Sequence, residues 1–268
     1  MNGYSIKYFI RSFLIMGGEQ NFLGAFWIPT ALALTPKYFR IRLAKRFLSL
    51  SPHYFYGEGI WLTRDEIRSE EARNNESRKQ LVDDILKNFI EPHMVVLDYG
   101  CGPGYLAKHV SPYVSKLHAV DISNGVLACA RQINPGSPNI EYQNINSGLP
   151  SEKCQLVYSF AVFQHLNKEA IRQATQYIFN SLVKGGKAVI HFVVDDTGFW
   201  VRESPPENIP GKLRRTFGLN CFSRSRDEII GFFKTAGFSK IKIQPARELT
   251  NISDDIKEQH ILTATKPS

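Results

Sequence analysis

The sequence predicts a doubly wound α/β domain with a mostly parallel, seven-stranded sheet and a helical N-terminal cap. Three observations carry this expectation. From about residue 94, short apolar, β-branched runs alternate with helical patterns, the rhythm of strands joined by crossover helices. The first run, Val95-Val96-Leu97-Asp98, leads straight into a glycine-rich turn that opens a helix. The first 60 residues lie outside this alternation and differ in character, being apolar and basic.

The expected strands cover residues 94–98, 117–121, 140–143, 155–160, 187–194, 239–245 and 259–265, the last two as an antiparallel closing pair. Helices are expected over 105–110, 124–133, 168–183 and 226–236. Ser225 with Glu228 reads as a capping box, while Gly185 and Gly237 stand where a left-handed residue would stop a helix. Residues 64–89 are rich in charge and in good helix formers, with Ile67, Leu81, Ile85, Leu86 and Phe89 as candidate buried positions. They read as a helix covering the sheet edge or the ligand site. Residues 195–222 carry Pro205, Pro206, Pro210, Gly211 and Gly218, which favours an irregular, lid-like insertion. The chain is therefore divided into a cap or substrate-lid region, 1–63, and a main domain, 64–268, with no internal repeat.

The formal net charge is +8, and the first 60 residues hold Lys7, Arg11, Lys37, Arg40, Arg42, Lys45 and Arg46 against only Glu19 and Glu58. Such asymmetry suits an acidic partner, whether nucleic acid, anionic lipid or substrate, and equally a plain soluble surface. Residues 22–34 are apolar but too few, with Pro29 among them, to span a bilayer. No signal peptide is expected, because the apolar run 13–16 is broken at once by Gly17, Gly18 and Glu19. In 35–50, Phe39, Leu43, Phe47 and Leu50 fall on one helical face amid five basic residues. The segment reads as a cap over a lipophilic substrate or as an element lying on an anionic membrane surface, the cap being the expectation. Cys101, Cys129, Cys154 and Cys221 show no close pairing, so neither a metal site nor a disulfide framework is indicated, and a reducing cytoplasm is expected.

The chemistry is written in Asp98-Tyr99-Gly100-Cys101-Gly102-Pro103-Gly104. Glycines there let the backbone approach a ligand closely. Dinucleotide sites use G-x-G-x-x-G to seat a pyrophosphate, whereas the spacing here is G-x-G-x-G. An acid two residues before the first glycine repels a pyrophosphate but attracts the ammonium of an amino-acid-like cofactor. The second strand ends in Asp121, whose carboxylate suits two ribose hydroxyls.

In this combination the chain resembles the class I S-adenosylmethionine-dependent methyltransferases, a Rossmann-like family, from about residue 81 to its end. Gln155-Leu156-Val157-Tyr158-Ser159-Phe160 resembles the family's fourth strand, Leu182-Val183-Lys184-Gly185-Gly186-Lys187 the turn before its fifth, and Thr235-Ala236-Gly237-Phe238 the entry to its sixth. The resemblance implies S-adenosylmethionine as cofactor, with Asp98, Gly100, Cys101, Gly102, Gly104, Asp121, Ile122 and Phe160 at its site. Cys101 itself reads as a small residue packed beside the loop. Where the family often has an acid after strand three for the adenine amino group, this chain offers Asn144 or Asn146, whose amide oxygens can accept the same bond.

His165, just after strand four, is the candidate general base, with His53, His191, Tyr54 and Tyr56 as other candidates. Ser159-Phe160-Ala161-Val162 is not the Asn- or Asp-Pro-Pro-aromatic motif of nucleic-acid amine methylation, and no cysteine follows a proline as pyrimidine carbon-5 chemistry requires. The resemblance therefore implies methyl transfer to a small, fairly apolar metabolite, on oxygen, of the kind found in secondary metabolism, with no nucleic acid as partner. Competing readings are a lipid-like acceptor at a membrane surface, a NAD-dependent oxidoreductase, which the glycine spacing disfavours, and a non-catalytic cofactor-binding partner.

Overall fold

The alternation seen in the sequence becomes one sheet flanked by helices on both faces. In the computed structural model, which describes residues 22–50, 54–55, 62–194, 222, 224–251 and 259–268, the strands are β1 (Val95–Tyr99), β2 (Lys116–Asp121), β3 (Ile140–Asn144), β4 (Cys154–Ser159), β5 (Leu182–Phe192), β6 (Ser239–Pro245) and β7 (His260–Thr265). The helices are α1 (Phe22–Leu34), α2 (Lys37–Leu48), α3 (Arg64–Asp84), α4 (Tyr105–Val110), α5 (Asn124–Ile133), α6 (Lys168–Ser181) and α7 (Arg226–Thr235). The strand order is β3-β2-β1-β4-β5-β7-β6. β1 to β5 run parallel, and β7 lies antiparallel between β5 and β6, the expected closing pair.

Alternate residues of each strand enter opposite cores, as the pleat requires. Val96, Leu117 and Leu156 pack with Leu81 and Val82 at the end of α3, with Leu86 just beyond it, with α4 and with Leu127 of α5. Leu97, Val120 and Val157 face the other way, onto Ile171, Ala174 and Ile178 of α6 and Ile229, Phe232 and Phe233 of α7.

Several boundaries differ from the sequence expectation. α6 stops at Ser181, and Leu182 is already extended and paired with Cys154. Sheet pairing thus takes the chain before Gly185, which has φ +75° but donates its N–H to the Lys266 carbonyl instead of ending a helix. Gly237 does act as expected: its N–H and that of Phe238 donate to the Lys234 and Phe233 carbonyls, closing α7. Ser225 accepts from the Glu228 N–H, but the Glu228 carboxylate turns to Lys168 at 3.1 Å. The complete capping box is at Thr63 and Glu66, which start α3. The expected helix over 64–89 ends at Asp84 and continues as a 3-10 turn, Leu86–Asn88.

α1 and α2 form a hairpin packed mainly against α5. Ile28, Leu32, Ala44, Phe47, Leu48 and Leu50 meet Val126 and Cys129 of α5 and Tyr105 of α4 in a third core. Of the expected apolar face, Phe47 and Leu50 are buried while Phe39 is 51% exposed. The basic residues are also divided: Lys45 pairs with Glu71 of α3 at 2.7 Å and Arg46 donates to the Leu62 carbonyl, so both fix α2 in place. Among the described residues no helix is long and apolar enough to cross a membrane. Residues 195–221, together with His53, Tyr56 and Cys221, lie outside the described residues.

Candidate functional site

The strand order reverses between β1 and β4, and ligands of open α/β sheets sit beyond the carboxyl ends of the strands at such a switch point. Asp98 is near the end of β1, in register with Ala119 of β2 and Tyr158 of β4. Asp121 ends β2 in register with Asn144, which ends β3. Phe160 and His165 follow β4, and His191 is near the end of β5. The candidate residues, drawn from distant parts of the chain, therefore share one edge.

The glycine turn is held by the second strand. The N–H groups of Gly100 and Cys101 both donate to the Val120 carbonyl, at 2.8 and 2.9 Å. Gly100 has φ +77°, and a Cβ there would lie 2.4 Å from Cγ2 of Val162, so the turn and the loop after β4 touch only because position 100 lacks a side chain. Gly104 is closed off in the same way by the Tyr142 hydroxyl and the Asn134 amide. Cys101 is buried in the core beside the loop as expected, and burial pushes its thiol up.

Asp121 ties the two loops together: one carboxylate oxygen accepts from the Gly102 N–H at 3.0 Å, the other from the Ser123 N–H at 2.9 Å. Burial raises its carboxyl, and these N–H groups oppose the shift. Ile122, next in the chain, is 46% exposed, an aliphatic platform at the strand end. Asn144 is committed locally, because its amide donates to the Ile122 carbonyl and to Asn124 while its oxygen accepts from the Asn146 N–H. Asn146 is exposed, so of the two asparagines it is the one whose side chain faces solvent.

Asp98 is 2% exposed, and its Oδ2 has no hydrogen-bond partner. Burial pushes its carboxyl up to about 8, with the Tyr158 hydroxyl and the Arg78 guanidinium pulling the other way. A buried carboxylate oxygen without a donor is costly, and a cationic ligand group removes the cost.

On the β4–β5 side, Phe160 stacks on His191 with ring centroids 5.8 Å apart and 10° between planes. The Ala161 N–H donates to Nδ1 of His191 at 3.1 Å, holding Ala161 at φ +59°. That bond requires an unprotonated Nδ1, and burial lowers His191 to about 3, so this ring is neutral. His165 is half-buried on a 3-10 turn, Phe163–His165. The turn is fixed from outside: the Phe222 N–H donates to the Gln164 carbonyl at 2.8 Å and Arg224 donates to the Leu166 carbonyl at 2.7 Å.

Two residues emerge that the sequence reading gave no such place. Arg78 of α3 acts on both Asp98 and His191. Its signal was present, since Asn74, Arg78, Leu81 and Val82 share one face of α3, and a polar pair on an otherwise buried stripe marks a site-facing helix. Tyr54, named only as a possible base, instead covers the glycine turn: a Cβ at Gly102 would lie 3.0 Å from its ring. Its carbonyl accepts from Asn74 at 2.7 Å, and burial followed by the charge of Asp121 raises its phenol far above the ordinary value. Among the described residues no group of His, Cys, Asp and Glu could hold a metal.

This donor set fits the cofactor implied by the sequence, with the unpartnered Asp98 oxygen matching an ammonium and Ile122 offering an apolar face for a base. Residues 96–186 match a family model described as a methyltransferase domain. No curated protein matches the sequence. Among solved structures, the DhpI–SAH complex is similar with a TM-score of 0.52 at 16% identity, over 87% of this chain and 97% of that one. Magnesium protoporphyrin IX methyltransferase from Synechocystis, with bound SAH, is similar with a TM-score of 0.51 at 15% identity, over 86% and 93%. Human N-acetylserotonin methyltransferase in complex with SAM gives 0.51 at 16% identity, over 97% of this chain and 65% of that one. The fold is shared by all three, and residues 96–186 of this chain carry the match to a methyltransferase domain.

Proposed function

We propose that the chain transfers a methyl group to a small, fairly apolar metabolite, on oxygen, with the acceptor beside Phe160, His165 and His191. S-adenosylmethionine, when bound, supplies an electrophilic methyl on a sulfonium. The protein's part is to hold the two reactants in line and dry, which is worth roughly 7 to 11 kcal/mol, and to take the proton of a hydroxyl acceptor. Asp98 receives the ammonium of the cofactor's amino-acid end, and Arg78, acting on the same spot, its carboxylate. Asp121 accepts from the ribose hydroxyls, Ile122 lies against the adenine and Asn146 accepts from its amino group.

The observation that carries the assignment of the base is the contrast between the two histidines. His191 is fully buried, neutral and committed to the Ala161 N–H, so it positions the loop after β4. His165 is half-buried on a turn anchored by Phe222 and Arg224, which gives a base both a fixed position and an open edge. The Tyr54 and Tyr158 phenols are raised too far to serve. The test is methyl transfer from S-adenosylmethionine to a panel of phenols, aliphatic alcohols and amines. The proposal expects turnover on a hydroxylated, apolar acceptor, lowered about 10²- to 10⁴-fold by His165→Gln. Turnover confined to amines and unaffected by that substitution contradicts it.

A further inference from the structure

The corner where α1 meets α2 carries a surface that the methyl-transfer site does not use. Among the described residues, large apolar side chains are exposed at Leu34 (82%), Tyr38 (89%), Phe39 (51%) and Ile41 (42%), and the other exposed ones, Tyr113, Ile122 and Leu149, stand far along the chain. Four in eight consecutive residues make a patch, whereas the rest are scattered and ordinary. Tyr38 and Phe39 pack edge to face at 5.2 Å, so the two rings form a unit.

The stretch of chain that carries this patch holds charge of one sign only. Lys37 and Arg42 are exposed and form no ion pair among the described residues, and between Glu19 and Glu58 there is no acidic residue at all. Arg40 spans the corner, donating to the carbonyls of Ala33 and Thr35, which fixes the shape of the turn. Tyr38 and Arg42 lie on the side of α2 turned away from Ala44, Phe47 and Leu48, the residues that seat the hairpin on α5, while Ile41 continues the stripe of Ala44 and Leu48 outward to the exposed corner. Tyr38 and Arg42 are thus free of the inner side that holds the fold together.

We propose that this corner docks on an anionic lipid surface, its apolar tips entering the interface while Lys37 and Arg42 meet headgroup phosphates. The shape is a convex turn, which suits a bilayer better than a cleft-bearing partner. A tyrosine ring has an apolar body and a polar tip, the combination favoured at that boundary. A second copy would bring the same positive charge and repel, and residues 1–21, with Lys7 and Arg11 against Glu19, bring no excess of negative charge. A nucleic acid would neutralise the cations but leave Leu34 and Ile41 in water. With short, non-spanning helices, the contact is peripheral and reversible.

The test uses the full chain and co-sedimentation with vesicles of phosphatidylcholine alone or with phosphatidylglycerol added to about one-third, at low and high salt. The expected result is binding to the anionic vesicles only, weakened at least tenfold by high salt. Leu34→Ser with Tyr38→Ser, and separately Lys37→Glu with Arg42→Glu, should each lower it about tenfold or more. S-adenosylhomocysteine affinity should be unchanged in both variants, since no altered residue touches the cofactor loops. Equal binding of wild type and variants to anionic vesicles, or no binding by any of them, overturns the proposal. So does a concentration-dependent dimer in sedimentation velocity that the Leu34 and Tyr38 changes abolish without any lipid binding.

Discussion

Cofactor binding should expel a proton from Asp98, and the effect is large enough to measure. With its carboxyl at about 8, the free protein at pH 7 holds Asp98 about nine-tenths protonated, and ionising it there costs about 1.4 kcal/mol, one pH unit's worth. An ammonium placed against the unpartnered Oδ2 favours the ionised form, so binding proceeds with proton release. Below pH 8 the dissociation constant of S-adenosylhomocysteine should rise by up to about tenfold for each unit of acidification, flattening above it. Titration calorimetry in buffers of different ionisation enthalpy at pH 7 should read about 0.9 of a proton released. Asp98→Asn removes the titrating group, and its binding, weaker throughout, should lose that pH dependence, so that any residue of it belongs to another group such as Asp121. A wild-type affinity that is flat from pH 6 to 8, with no buffer dependence of the heat, refutes the reasoning. The same group acts on folding with the opposite sense to an ordinary carboxylate. Its folded-state value lies above its unfolded one, so the free protein loses stability as pH rises from about 4 to 8, and the cofactor reduces the loss.

Asp121, proposed to accept from the ribose hydroxyls, also holds the Gly102 and Ser123 N–H groups. Asp121→Ala should therefore weaken S-adenosylhomocysteine binding by about 2 to 4 kcal/mol, and an unchanged dissociation constant in a folded variant would show that it only ties the loops. Gly100→Ala should lower stability by about 1 to 3 kcal/mol in thermal denaturation of the free protein. Adding Val162→Ala should recover the steric part and leave the cost of φ +77°. Arg78→Ala should weaken S-adenosylhomocysteine about tenfold or more, as loss of one charge-assisted bond implies. Adenosine, which lacks the amino-acid end, should bind both forms alike.

Much of this was legible in the sequence because it is local. The strands are short apolar runs between turn residues, and β1 to β7 fall within a few residues of their expected places, save the early start of β5. The acid–glycine turn and Asp121 announce the site because chain order alone places them at the ends of adjacent parallel strands. What local pattern cannot give is competition between partners. Gly185 had the look of a helix stop, yet pairing of Leu182 with Cys154 takes the chain into the sheet sooner. Glu228 suited a capping box but finds Lys168 across the gap between α6 and α7. Tyr54 and Arg78 reach the site only through the packing of α2 and α3 on α4 and α5, contacts spanning tens of residues. The basic face of α2 illustrates the same limit. Lys45 and Arg46 look no different in sequence from Lys37 and Arg42, but among the described residues only the first two find partners, Glu71 and the Leu62 carbonyl.

The most direct measurement is titration calorimetry of the full chain with S-adenosylmethionine, S-adenosylhomocysteine and NAD side by side. Asp98, which would repel a pyrophosphate, and a G-x-G-x-G turn in place of the dinucleotide spacing predict saturable binding of the first two and none of NAD. Binding of NAD without binding of S-adenosylmethionine would contradict the account at its centre.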